Sequence, residues 1–241
     1  MSIRISLIQT LIDINEKIFF YPKLKSFYKK RFKLISTPNP VIIFDVGANK
    51  GQSIDFFSKT FKNPIIYAFE PNPKLYKELI HKYRTNENIF IYNLGVSDIN
   101  GQLELKETIT DETSTFEELN YDSKYLQMKA DVLGIKKEDL VTQKYLVEVI
   151  RLDEFIKIRQ LNKIYILKID TEGHELKCLK GLFTNEVCEI KYIQLERHND
   201  DMYLTNQLNI EIPSLLEAKG FNNCNIVKHG FGNLDECIYE K

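Results

Sequence analysis

Between residues 41 and 94 short apolar runs alternate with amphipathic stretches. The runs cover residues 41–44, 65–69 and 89–94. Between them Ile54, Phe57 and Phe61, and then Leu75, Leu79 and Tyr83, recur at helical spacing. A parallel pair of strands needs a crossover long enough to carry a helix, so this rhythm predicts a parallel sheet with covering helices. It resumes with residues 147–152, a short helix from Asp153, residues 164–169, a helix from His174, and residues 192–195. A helix around 212–219 follows, and runs 224–227 and 236–239 are expected to form a closing antiparallel pair.

A chain of 241 residues with 43% hydrophobic content supports one domain with elaborations and a sizeable core. A net charge of −1 gives no electrostatic case for nucleic acid. Cys178, Cys188, Cys224 and Cys237 lack metal-finger spacing and are expected as free thiols in a reducing compartment. No apolar run reaches the ~20 residues of a membrane-spanning helix, so no integral membrane association is expected. The N-terminal stretch carries Asp13, Glu16 and Lys17 and no small-residue cleavage site; no secretory leader is expected, and the cytoplasm is the expected location.

Residues 3–35 have helical periodicity, through Ile3, Leu7, Leu11, Ile14 and Ile18 and then Leu24, Phe27 and Tyr28. Pro22 is expected in the first turn of a second helix, made basic by Lys23, Lys25, Lys29, Lys30, Arg31 and Lys33. Those cations read as the solvated face of a packed helix, or as a patch for an anionic substrate or a membrane surface. Thr37-Pro38-Asn39-Pro40 then breaks the chain, dividing an N-terminal helical extension, 1–38, from a main domain, 39–241. Asn100-Gly101 is a hairpin-turn signal. Residues 107–146 are polar, with one helix-like piece at 121–133, and are expected as a helical and loop cover over a substrate.

The first run leads into Asp45-Val46-Gly47-Ala48-Asn49-Lys50-Gly51. Gly47 permits a sharp turn, Asn49 tolerates positive φ, and Gly51 lets the next helix pack close. A dinucleotide fingerprint needs glycine where Asn49 stands, and a phosphate loop needs Lys-Ser/Thr where Gln52-Ser53 stands. Asp45 repels phosphate and suits an ammonium or sulfonium group. A nicotinamide or flavin cofactor and a purely structural turn remain open on the loop alone. Glu70 ends the second run, where a carboxylate accepts both hydroxyl protons of a ribose. A ribose, a positive charge and no required phosphate describe S-adenosylmethionine better than NAD.

These residues resemble the FkbM family of S-adenosylmethionine-dependent methyltransferases. The resemblance rests on DVGANKG (45–51), AFEPNP (68–73), NLGVSD (93–98), IRLDEFI (150–156), LKIDTEGHE (167–175) and IQLERH (193–198). It implies a Rossmann-like class I methyltransferase fold, α/β, with a seven-stranded, mostly parallel sheet between helices. It implies cofactor contacts from Asp45, Gly47, Asn49, Gly51 and Glu70, with Asn93 and Ser97 near the adenine. It implies methylation of hydroxyl groups on sugars and natural products.

Methyl transfer from a sulfonium is an in-line displacement, and a sugar hydroxyl needs a base or a metal to lower its pKa. Lys168, Asp170, Glu172, His174 and Glu175 follow the fourth central run; Glu196 and His198 end the next. Two mechanisms fit. In one, His198 or Asp170 is a general base, with Glu196 orienting the imidazole. In the other, Asp170, Glu196 and His198 bind a divalent metal, magnesium or manganese. Plain structural readings stand beside them: Glu172 shaping a turn, His174 capping a helix, and Glu175 pairing with a nearby Lys or Arg. His81 and His229 have no sequence partners and receive no role. The expected reaction is O-methylation of a sugar or nucleotide-activated sugar, as in polysaccharide or natural-product biosynthesis. N-methylation of an amide or phosphoramidate, an NAD-dependent sugar-modifying enzyme, and a non-catalytic binding module are the alternatives. The expected partners are the small-molecule acceptor and at most a second copy in a homodimer.

Overall fold

The computed structural model describes residues 7, 10, 11, 14–34, 40–109, 114–186, 188–204, 208–229 and 234–241. The central feature is a seven-stranded sheet built from β1 (Ile42–Val46), β2 (Ile65–Phe69), β3 (Ile89–Tyr92), β7 (Lys163–Ile169), β8 (Glu189–His198), β9 (Asn223–Lys228) and β10 (Leu234–Glu240). Their order is β3-β2-β1-β7-β8-β10-β9. Pairings are parallel except those of β10, which runs antiparallel to β8 and β9, as the closing pair predicts. The chain steps outward from β1 to β3 and then returns to β7 on the other side. The β1/β7 boundary is therefore the switch point, where an open α/β sheet binds its ligand.

Strand alternation sends neighbouring residues to opposite faces. Phe44, Val46, Leu167, Ile169, Ile193 and Leu195 face one core, covered by α5 (Leu152–Ile158), α6 (Glu175–Leu182) and α7 (Leu208–Ala218). Ile43, Ile66, Ile166 and Tyr192 face the other, covered by α1 (Tyr21–Leu34), α2 (Gln52–Thr60) and α3 (Pro73–Tyr83). Pro73 opens α3, whose N-cap Asn72 accepts from Lys74 N at 2.9 Å.

A π-helical turn, Glu16–Phe20, runs straight into α1, with Pro22 as that helix's second residue. Phe20, Leu24, Tyr28 and Phe32, four apart, form one buried stripe. The N-terminal extension thus contributes side chains to the second core, and Tyr28 Oη donates to Gln194 Oε1 on β8 at 2.5 Å.

The stretch after β3 differs from the sequence reading. The run at 147–152 spans the end of a ten-residue strand, β6 (Val141–Ile150), outside the main sheet, and the start of α5. It pairs with β4 (Gly95–Val96) and with β5 (Gly101–Thr108) in a second, three-stranded sheet. The cover carried between β5 and β6 holds α4 (Lys124–Leu133), N-capped by Ser123, which accepts from Leu126 N at 3.0 Å. Leu119, Leu126, Ala130, Leu133 and Leu140 form its own small core with Met202 and Tyr203 from beyond β8.

Candidate active site

A cavity of about 420 Å³ opens at the carboxyl ends of β1, β2, β7 and β8, beneath α1 and α4. Its first wall is the glycine loop. Gly47 has φ +81°, and a Cβ there would lie 1.9 Å from the Asp170 carbonyl oxygen, so the β1 and β7 loops touch only because this residue is glycine. Asn49 sits at φ +48°. The loop amides are already engaged. Gly47 N and Ala48 N both donate to Phe69 O at 3.0 Å, and Asn49 N donates to Glu70 Oε2 at 2.7 Å. Three amides turned inward make no cradle for a pyrophosphate, which argues against a dinucleotide.

Glu70 is buried and lines the cavity. Its Oε1 accepts from Asn72 N at 2.8 Å. Burial pushes the carboxyl up to about 7, against the pull of those two backbone amides. A carboxylate has about four lone-pair sites, so two remain for a vicinal diol. Leu94, Gly95 and Val96 form the adjoining apolar wall, and the cover adds Ser114, Phe116, Tyr125 and Met128. Ser114 Oγ is buried without a hydrogen-bond partner.

The opposite end is polar and acidic. Asp45, Lys168 and Gln194 form a cross-strand row on β1, β7 and β8. Asp45 is fully buried, accepts from Ser53 Oγ at 2.5 Å and is pushed up by burial. Lys168 Nζ lies 2.9 Å from Asp170 Oδ2 and 3.8 Å from Asp45 Oδ1. Burial alone would lower the Lys168 ammonium, but Asp170 and Asp45 outweigh it and hold the group charged. Asp170, Glu172 and Glu196 each bring one carboxylate oxygen within 4.8 Å of the others. Three hard oxygen donors at that spacing fit a magnesium or manganese ion. Behind them Glu236 accepts from Gln194 Nε2 at 2.5 Å and meets His229 Nε2 at 3.3 Å. Burial lowers the His229 imidazole, while Glu236 raises it further, for a net upward shift.

The model of the Methyltransferase FkbM domain matches residues 45–222. The chain belongs to the FkbM methyltransferase family. A curated relative, the hexuronic acid methyltransferase AglP of Haloferax volcanii, is 25% identical over 158 residues, 65% of this chain. The match spans 56% of that relative's length. Similar solved structures include a human methyltransferase 10 domain containing protein, at 7% identity, 92% and 83% coverage of this chain and that one, and TM-score 0.49. Another is Aeropyrum pernix fibrillarin with natively bound S-adenosyl-L-methionine, at 12% identity, 84% and 66% coverage, and TM-score 0.45.

Within the FkbM frame, the expected site residues divide between the cavity and the framework around it. Gly47, Asn49, Glu70, Asp170, Glu172 and Glu196 all line the cavity. Asp45 lies beneath it, where it accepts from Ser53 Oγ and neighbours Lys168. Gly51 serves packing: a Cβ there would lie 2.4 Å from Tyr83 Oη, which donates to Gly51 O. Asn93 spends its side-chain amide on the carbonyls of Glu70 and Pro71. Ser97 is buried against His174. His174 is itself a brace, with Nδ1 2.6 Å from Glu117 Oε1 in the cover and Nε2 2.9 Å from Ser97 Oγ. Burial alone would raise the Glu117 carboxyl, but hydrogen bonds with His174 and Lys177 hold it below the usual range. Among the described residues no Lys or Arg pairs with Glu175; its Oε1 accepts from Thr171 N and Gly173 N and shapes the turn. Glu172 occupies that turn at φ +53°, and its carboxylate accepts from Tyr203 Oη at 2.7 Å. The His198 backbone pairs with Leu234, while its side chain lies outside the described residues.

The sequence reading missed Glu16, Phe20 and Tyr21 of the N-terminal arm, and Gln194, Glu236 and His229, all of which line the cavity. One signal was available: Lys168 stands between Leu167 and Ile169, and Gln194 between Ile193 and Leu195, polar residues among apolar neighbours.

Proposed function

We propose that this FkbM protein transfers the methyl group of S-adenosylmethionine to a hydroxyl of a sugar or nucleotide-activated sugar. The observation that carries the reading is one cavity with a buried ribose acceptor, Glu70, at one end and the acids Asp170, Glu172 and Glu196 at the other. Glu70 would hold the cofactor's ribose hydroxyls and Leu94–Val96 would hold its adenine, leaving Asp170, Glu172 and Glu196 on the side of the methyl group. The acceptor hydroxyl sits beside Asp170, which Lys168 holds in place at 2.9 Å and which takes the proton. The oxygen lone pair attacks the methyl carbon, the carbon–sulfur bond breaks, and S-adenosylhomocysteine leaves as a neutral thioether. A divalent ion held by Asp170, Glu172 and Glu196 would supply Lewis acidity toward the same hydroxyl.

The relative's name, a hexuronic acid methyltransferase, supports a sugar acceptor. The acid cluster adds a preference: a neutral hexoside meets no repulsion there, while a uronate needs a cation beside it. Incubation with S-adenosylmethionine and paired methyl hexosides and hexuronides tests this reading. A methyl-mass gain on a sugar is the expected result, and failure to bind S-adenosylmethionine at millimolar concentration would sink it.

A further inference from the structure

The N-terminal arm carries a surface that the cavity does not use. Leu7, Leu11, Ile14 and Ile18 follow one another at heptad intervals, and their exposures are 60%, 54%, 47% and 58%. Phe19, beside them, is 53% exposed. These residues form an apolar stripe in water. The stripe leads directly into α1, which has six basic residues and no acid among its fourteen. Leu24, Tyr28 and Phe32 take the buried face of α1, and Lys23, Lys29 and Lys30 are exposed. Of the others, Arg31 pairs with Glu240 at 3.2 Å. The whole chain has a net charge of −1, so positive charge is concentrated on this helix while the rest is net acidic.

We propose that the arm is a monotopic anchor that seats the protein on an anionic lipid surface. The apolar stripe enters the headgroup–acyl boundary, and the α1 lysines meet the anionic headgroups. Charge selects this occupant. A second copy would cover the stripe but bring a like-charged α1 alongside. A soluble anion would neutralise the lysines and leave the stripe in water. An anionic bilayer meets both features at once. Among the described residues no helix is long and apolar enough to cross a membrane, so the arm lies on the surface. Ile18 and Phe19 directly precede Phe20, which lines the cavity, so docking brings the lipid surface next to the acceptor end.

Flotation of the full chain with vesicles tests the anchor without reference to catalysis. The chain is expected to float with phosphatidylcholine–phosphatidylglycerol vesicles and not with phosphatidylcholine alone, and added salt weakens binding. Each lysine removed in a Lys23→Gln, Lys29→Gln, Lys30→Gln series weakens it about fivefold. Leu11→Ser with Ile18→Ser abolishes it, and an unchanged melting temperature shows that the fold is intact. Three outcomes overturn the proposal: no binding to charged vesicles, equal binding to neutral ones, or a solution dimer that the serine pair dissociates. Release by inorganic phosphate, but not by chloride of equal ionic strength, would assign the lysines to a soluble anion and also overturn it.

Discussion

Replacing Glu70 by Gln tests where the cofactor's ribose binds. Each Glu70 oxygen already accepts a backbone amide, from Asn49 at 2.7 Å and from Asn72 at 2.8 Å, and two lone-pair sites face the cavity. Glutamine turns one oxygen into a donor and removes the charge. Losing one charge-assisted hydrogen bond costs about 1.5–3 kcal/mol, so the dissociation constant for S-adenosylmethionine should rise about 10- to 150-fold. The wild-type pH dependence gives the sign. Glu70 titrates near 7 in the free protein. Below that value cofactor binding must expel a proton, so affinity weakens about tenfold per pH unit. Above it the ionised carboxylate is present and affinity is level. Folding runs the other way. A raised carboxyl contributes stability that is fully present below its unfolded pKa and is lost as pH rises through about 7. That contribution is worth about 3 kcal/mol. Calorimetric titrations of both proteins, one unit above and one unit below that value, supply the data. The reasoning fails if the variant binds within twofold of wild type, or if wild-type affinity is the same on both sides of neutrality.

The other expectations address the turn, the base, the metal and the brace. Gly47→Ala drives a methyl group into the Asp170 carbonyl, so the thermal midpoint and cofactor binding should fall together; a wild-type melting curve would show that the loop yields easily. Asp170→Asn should lower kcat by about 10²- to 10⁴-fold with little change in cofactor affinity, as steady-state kinetics and calorimetry will separate. Excess EDTA should lower turnover and magnesium restore it; unchanged turnover removes the ion and leaves Asp170 as the base. His174→Leu removes the buried hydrogen bonds to Glu117 and Ser97, so stability should drop by about 1–3 kcal/mol in denaturant melts, and an unaltered midpoint would remove its bracing role.

The residues whose roles could be read from sequence act locally. The strand–helix rhythm gave the sheet, because spacing alone sets it. Asn49 was expected at positive φ and Glu70 at a strand end, and both are there. Other features depended on distant partners. His174 meets groups 57 and 77 residues away, so its neighbourhood suggested a catalytic candidate or a helix cap and neither partner. Nothing local to Asp45 reveals that Ser53 and Lys168 enclose it. The hairpin of β5 and β6 was hidden because Thr142, Gln143, Lys144 and Glu148 make half of β6 resemble a polar loop. Gln194 and Glu236 show the converse: polar residues inside buried strands mark the site even when their partners are unknown.

The most direct measurement follows the methyl group itself. S-adenosylmethionine with a deuterated methyl group is incubated with the protein and a neutral methyl hexoside, and both products are followed by mass spectrometry. The account predicts that the labelled methyl appears on a sugar oxygen in step with S-adenosylhomocysteine. Cofactor that binds tightly while no hydroxyl of any hexoside or nucleotide-sugar gains the label would contradict it.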